Sequence, residues 1–424
     1  MSGAGIVITG IGLALPTGRS PGEATDRALA GESAIGALRR FDAAGYACRA
    51  SAEVPPFDLR DSLRVRKNEK YMSRPVTCAI RAALDAVAAS GLDLAAVDPQ
   101  RLGVYAGTGQ TGLETSEFFA ALEVAETGDA DGTFRNLGGR ASRLVDRYWS
   151  LRTLANAGVG LLAAELSARG PCSNYVQGDT ASAHALASGR DDLIEGRCDA
   201  VVAGGCDSLL TESGFLAYDR AGLLSPSDPA RAYRPFDRDR DGLVLGEGAA
   251  FVVLEREADA IRRGAPILGE LLGAGFSQAA AGLAPKADAA ATAAAMAGAI
   301  GTARPDLLIA HGIGTRDDDA YEASALAAAG VAGTPVTALK GLTGYLGAAT
   351  AAAELCLGLL AGRRGAAPPV ARLEAPDAGC PIDLVIGRAR SLHAAAPLVL
   401  SLTWTWSGQC AALAARARRP DPTE

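Results

Sequence analysis

Arg234-Pro235-Phe236-Asp237-Arg238-Asp239-Arg240-Asp241-Gly242 runs on through Gly246-Glu247-Gly248 to Leu254-Glu255. A loop dense in charge and glycine here feeds an apolar strand over 250–254. Three other segments stand out around it. Gly170-Pro171 leads through Gln177-Gly178-Asp179 into a helix and then to a strand over 199–203 that stops at Gly204-Gly205. Ala310-His311-Gly312-Ile313-Gly314-Thr315 is followed by Asp319 and Glu322. Lys340-Gly341-Leu342-Thr343-Gly344-Tyr345 comes last.

Between these segments, short β-branched runs alternate with long Ala/Leu-rich stretches of helical period, the pattern of a layered α/β protein. Residues 6–9 form a strand running into a glycine turn at Gly10, and 74–90 a helix with Val76, Ile80, Leu84 and Val87 on one side. A strand over 102–106 precedes the turn Gly107-Thr108-Gly109. A helix over 258–263 follows, and the theme repeats from Pro266 onward, with strands over 267–272 and 307–310, a helix over 287–300, and a frayed polar tail after Ala415. Two halves of similar grammar, 1–257 and 258–424, suggest a pseudo-duplicated core.

The 424 residues carry a net charge of −7, with 49% hydrophobic and 21% charged residues. Such a chain folds rather than stays disordered, and its acidity argues against nucleic acid as a partner. The N-terminus lacks the regions of a signal peptide. The apolar stretch 346–362 is interrupted by Glu354 and is short for a bilayer, so it reads as a buried helix and no membrane partner is expected. Eight cysteines scattered without CxxC spacing fit reduced thiols in a cytoplasm. Three histidines exist, His184, His311 and His393, so any chemistry that needs two must draw on these.

Together the four segments resemble the β-ketoacyl synthases of fatty-acid and polyketide assembly across nearly the whole chain. The resemblance implies a thiolase-like fold of five layers, αβαβα, normally dimeric. It implies a decarboxylative Claisen condensation between an enzyme-bound acyl thioester and malonyl on acyl carrier protein. A Cys at a helix N-terminus takes the acyl group, its thiolate favoured by the helix dipole. Two His stabilise developing charge, and backbone N–H groups form an oxyanion hole. No cofactor is bound directly, but the phosphopantetheine arm of acyl carrier protein is implied.

Against that pattern the chain departs in three places. The nucleophile belongs nine positions after Gly170, where Asp179 stands; Cys172 falls in the preceding strand. His311 matches the first His, with Asp319 and Glu322 at the family spacing, but the second His position holds Tyr345. The Phe-Gly-Phe-Gly-Gly string whose first Phe gates the pocket is here Trp404-Thr405-Trp406-Ser407-Gly408, bulkier and with two fewer glycines. Asp179 also suits a helix N-cap. Lys340 and Glu322 are expected to form a buried ion pair, and the two Trp to pack.

The leading expectation is a nucleophile-less homologue resembling the chain length factors of type II polyketide systems. It would pair as a heterodimer with an active ketosynthase and work with acyl carrier protein. The partner surface should include Asn174-Tyr175-Val176 and the stretch 113–119. The alternative is an enzyme: a malonyl-thioester decarboxylase, or an acid/base or acyl-transfer site built from Asp179 and His311.

Overall fold

Gly10 and Gly12 do not end the first strand. In the computed structural model, which describes residues 5–18, 20–109, 115–139, 141–279 and 288–420, strand β1 (Ile6–Ala14) continues straight through both. The glycines serve a close approach: helix α1 (Arg74–Ser90) crosses directly over them. A Cβ at Gly10 would sit 2.1 Å from the Ala86 carbonyl oxygen, and one at Gly12 1.8 Å from that of Ala82. The expected turn is therefore a packing contact. The same correction applies at Gly204-Gly205, which lies inside a strand running on to Ser208.

Ten strands form one sheet. After β1 come β2 (Leu102–Thr108), β3 (Cys172–Tyr175), β4 (Ala200–Ser208), β5 (Glu247–Arg256), β6 (Gly269–Gln278), β7 (Leu307–Ile309), β8 (Val336–Thr337), β9 (Leu398–Trp404) and β10 (Gln409–Ala417). Their order is β8-β7-β9-β10-β6-β1-β5-β4-β2-β3. From the centre outward one half reads β1-β5-β4-β2-β3 and the other β6-β10-β9-β7-β8, the same topology five strands later. Directions repeat too: antiparallel, antiparallel, parallel, parallel on each side. The halves meet through Val7↔Glu270 and Ile8↔Gly269.

Both faces of the sheet are buried, so its strands read as unbroken apolar runs. In β5, Ala250, Val252 and Leu254 face one core, while Ala249, Phe251 and Val253 face another. The shared core lies between α2 (Ala181–Ile194) and α6 (Thr350–Arg363), which pack on each other and on opposite halves. The outer layers are α1 on one side, and α4 (Ala289–Ile300) and α5 (Arg316–Ala328) on the other. Helix α3 (Glu212–Arg220) lies between β4 and β5 in the chain. This is the expected five-layer αβαβα fold. Every residue of α6 except Leu360 and Arg363 is buried, as its apolar run requires. Among the described residues no helix is long and apolar enough to cross a membrane. The tail stays paired to Ala417, two residues beyond the expected fraying point.

Candidate functional site

Strand β3 leaves the sheet edge into a tight 3-10 turn, Gly178–Thr180, that launches α2. Gly178 takes φ 55°, which lets the chain reverse there. The turn carries Asp179 inward to 4% exposure. Its carboxyl does not cap α2, whose start has no side-chain cap. Instead the Tyr345 hydroxyl donates to Asp179 Oδ2 at 2.7 Å, and Oδ1 has no partner among the described residues. Burial pushes this carboxyl up to about 7, against the opposing pull of the Tyr345 hydrogen bond and the Lys340 charge. Cys172 lies in β3, as expected, and is exposed.

His311 follows β7, at the start of a loop shaped by two glycines in the left-handed region, Gly312 (φ 55°) and Gly314 (φ 80°). A Cβ at Gly312 would meet Ala338 Cβ at 2.7 Å. Two carboxylates of α5 hold this loop by its backbone. Glu322 accepts from His311 N at 2.6 Å and Gly312 N at 2.8 Å; Asp319 accepts from Gly314 N at 2.9 Å and Phe236 N at 2.7 Å. Arg240, 1% exposed, completes the clamp by donating to the carbonyls of Thr315 and Asp237, each at 2.9 Å, and to Asp377 at 2.6 Å. The charged string 234–242 is thus a brace for the His311 loop, and Phe236 is held at φ 62° within it.

Lys340 does not pair with Glu322. Its ammonium lies 2.9 Å from Glu354 of α6 and donates to the His311 carbonyl. Glu322 is already committed to two backbone N–H groups, so the cation takes the carboxylate facing it from α6. The fully buried His311 imidazole is held well below its ordinary range, by desolvation first and then by the Lys340 charge, and is neutral. No hydrogen bond joins His311 to Asp179; its Nδ1 has no partner, and its ring stands 4.7 Å from that of Trp404.

Trp404 ends β9 at 5% exposure and belongs to the core. The residue in the gate turn is Trp406, half-buried, with its ring 5.9 Å from Tyr345 and 5.4 Å from Tyr218 of α3. The turn is tied by Thr405 N to Gln409 O (2.8 Å), Gly408 N to Thr405 O (2.9 Å) and the paired hydroxyls of Thr405 and Ser407 (2.8 Å). The hydroxyl tie uses Thr405 and Ser407, the two residues that stand in place of glycines, and the indole in the turn is that of Trp406, whereas Trp404 lies in the strand. Tyr218 and Glu354 also belong to the site. Glu354 could have been found as the single charge within an apolar run; Tyr218 carried no signal in the sequence.

Residues 4–260 match the family model for the β-ketoacyl synthase N-terminal domain, and 268–374 that for the C-terminal domain. The chain belongs to the β-ketoacyl synthase family. It is 34% identical to the tetracenomycin polyketide synthase ketoacyl synthase alpha subunit of Streptomyces glaucescens, over 97% of each chain. It is 30% identical to the 3-oxoacyl-[acyl-carrier-protein] synthase 2 of Synechocystis sp., over 91% of this chain and 92% of that one. Among solved structures it is similar to the ishigamide ketosynthase/chain length factor, with 28% identity, TM-score 0.86 and coverage of 98% of this chain and all of the other.

The site holds a neutral imidazole at His311 and, hydrogen-bonded to each other, the Tyr345 phenol and the Asp179 carboxyl. A carboxylate attacking a thioester would form an anhydride, a less stable acyl store than the thioester it replaces.

Proposed function

We propose that this chain is a β-ketoacyl synthase homologue without condensing activity of its own. It acts as the chain-length-factor-like partner of an active ketosynthase in polyketide or fatty-acid-type assembly on acyl carrier protein. The observation that carries this reading is the Asp179–Tyr345 hydrogen bond: the positions that the family pattern gives to the nucleophile and the second imidazole hold two groups bonded to each other. The polyketide relatives support the pathway class. The units are the halves 1–257 and 258–424, the setting is the cytoplasm, and the carrier protein's phosphopantetheine arm delivers the acyl chain to the paired synthase.

The surface for that partner is the free edge of β3. Val176, just beyond it, is 42% exposed, and exposed apolar residues gather in the same part of the chain: Phe119 (56%), Phe134, Leu151 and Leu154. Leaving these in water costs roughly 25 cal/mol per Å². Of the stretch 113–119, residues 113 and 114 and the side chains of 115–117 lie outside what the structure describes; Phe118 stacks on Trp149 at 5.4 Å, and Phe119 is exposed.

Co-expression with an intact ketosynthase from the same gene neighbourhood tests this. The expected result is a one-to-one complex whose product length shifts when Phe119 is changed to Ala or Trp, with turnover retained. A stable homodimer that ignores the synthase, and whose removal leaves product lengths unchanged, contradicts it.

A further inference from the structure

The duplicated fold places two corresponding hollows at the end of the sheet away from Asp179 and His311. One lies where the chain enters β2 and β4 and leaves β5; the other lies where it enters β7, β8 and β9. β2 and β7 hold the same place in their halves, as do β4 and β9.

The first hollow is closed in charge. Arg256 reaches Asp199 and Asp259, Arg262 reaches Asp259, and Arg263 reaches Glu255, at 2.5 to 2.7 Å. With Asp93 and Asp98 on its wall, its three arginines face five carboxylates. The second hollow, a cavity of about 480 Å³, is open in charge. Asp383 is taken by Arg390 at 2.7 Å, and Asp306 accepts from the Leu398 N–H at 2.8 Å. Arg304 is held by neutral oxygens alone. Its Nε donates to Thr334 Oγ1 at 3.3 Å and its Nη2 to the Ala332 carbonyl, while Nη1 has no partner among the described residues. His393 on the same wall is exposed and makes no hydrogen bond to a described residue. A further hollow adjoins across Arg390 and Ser391. It adds Arg388, exposed and without a carboxylate among the described residues, and Ile386, 44% exposed.

We propose that these adjoining hollows bind a small phosphorylated molecule, its phosphoryl group on Arg304, Arg390 and His393 and its organic part against Ile386 beside Arg388. A guanidinium presents five donors in a fixed fork that matches phosphate. Arg304 keeps Nη1 for a ligand, and Arg390, bonded through Nη1 to Asp383 and Nη2 to the Leu384 carbonyl, keeps Nε. A carboxylate has two oxygens and is satisfied by one fork; a phosphoryl group has three and can take donors from both arginines and the imidazole. The anchors on Thr334 and Ala332 hold the Arg304 fork in place, so binding orders less of it. Asp306 and Asp383 oppose an anion, but each already has an N–H donor. The cavity is larger than one phosphoryl group fills and falls within the size of small-molecule sites, about 300–1,000 Å³. Buried Pro305 and Leu392 line it, so the ligand carries an organic part. The site stands at the opposite end of β7 from His311 and does not depend on the partner role.

Calorimetric titration of the full chain at fixed ionic strength tests this, with phenyl phosphate, inorganic phosphate and succinate as probes. Phenyl phosphate should bind at least about fivefold tighter than inorganic phosphate and at least about tenfold tighter than succinate. Arg304→Ala should weaken phenyl phosphate by about tenfold or more, and Arg388→Ala or His393→Ala by about threefold. The His393 side chain has no partner to lose, so its variant keeps the fold. Arg262→Ala, in the charge-closed hollow, should change nothing. No binding of phenyl phosphate, succinate binding as tightly, or an affinity unmoved by both Arg304→Ala and His393→Ala overturns the proposal; inorganic phosphate binding equally well overturns the organic part. No partner or carrier protein is present, so such a failure would leave the proposed partner role standing.

Discussion

The two corners of the pocket have fared differently. Around His311, every charged group has an assigned partner: Glu322 and Asp319 hold the loop backbone, Arg240 braces it, and Lys340 joins Glu354 to the His311 carbonyl. Orphaned polar atoms occur in both corners, Asp179 Oδ1 and the indole N–H of Trp406 in one, His311 Nδ1 and Glu354 Oε2 in the other; the difference is that, among the described residues, the Asp179 carboxyl is reached by a phenol hydroxyl and not by a cation or a backbone N–H. The first corner holds the fold together whatever the chemistry. Buried polar networks survive when removing one member strands the rest.

The largest effect should fall in the first corner. Arg240→Ala leaves Asp319 buried without its cation and frees four backbone carbonyl and carboxylate contacts. It should destabilise the chain by about 3–5 kcal/mol in denaturant unfolding. A loss below about 1 kcal/mol would erase the contrast between the corners.

In the second corner a substitution should stabilise. The folded-state value of Asp179 is raised to about 7, above the ordinary carboxylate range. The native state therefore holds a proton that the unfolded chain has given up, and stability falls as pH rises from about 4 through 7. Asp179→Asn keeps an acceptor for Tyr345 and removes that loss. It should exceed the parent by on the order of 4 kcal/mol at pH 8, with the gap closing as pH approaches 4. Equal stabilities at pH 8 would mean the carboxyl is not strained.

A smaller effect is expected at the gate. Thr405→Gly with Ser407→Gly removes the hydroxyl pair and adds backbone freedom. Stability should drop by about 1–2 kcal/mol, and amide exchange at 405–408 should accelerate while the rest of β9 and β10 stays protected. Unchanged exchange would place the stiffness elsewhere.

Much of this was legible in the sequence. The layered fold, the buried helix at 350–363 and the inward position of Asp179 follow from apolar runs and motif spacing. Strand ends at Gly10 and Gly204 were misread because a local signal, glycine as turn former, is indistinguishable from glycine as a contact point for a distant helix. The Lys340 pairing was misread for a related reason. Spacing brings Glu322 near the loop, but only the fold reveals that two N–H groups have claimed it. Tyr218 lay beyond reach, since α3 comes to the pocket through tertiary packing alone.

Whether the position opening α2 carries acyl groups is read by a single-turnover incubation of the purified chain with an acyl-loaded and a malonyl-loaded carrier protein, followed by intact mass of both proteins. The expected result is no acyl adduct on the chain and no β-ketoacyl product, for the parent and for Asp179→Cys alike, because Tyr345 still stands where the second imidazole would be. An acyl adduct on the parent chain, or elongation by Asp179→Cys alone, would contradict the proposed function.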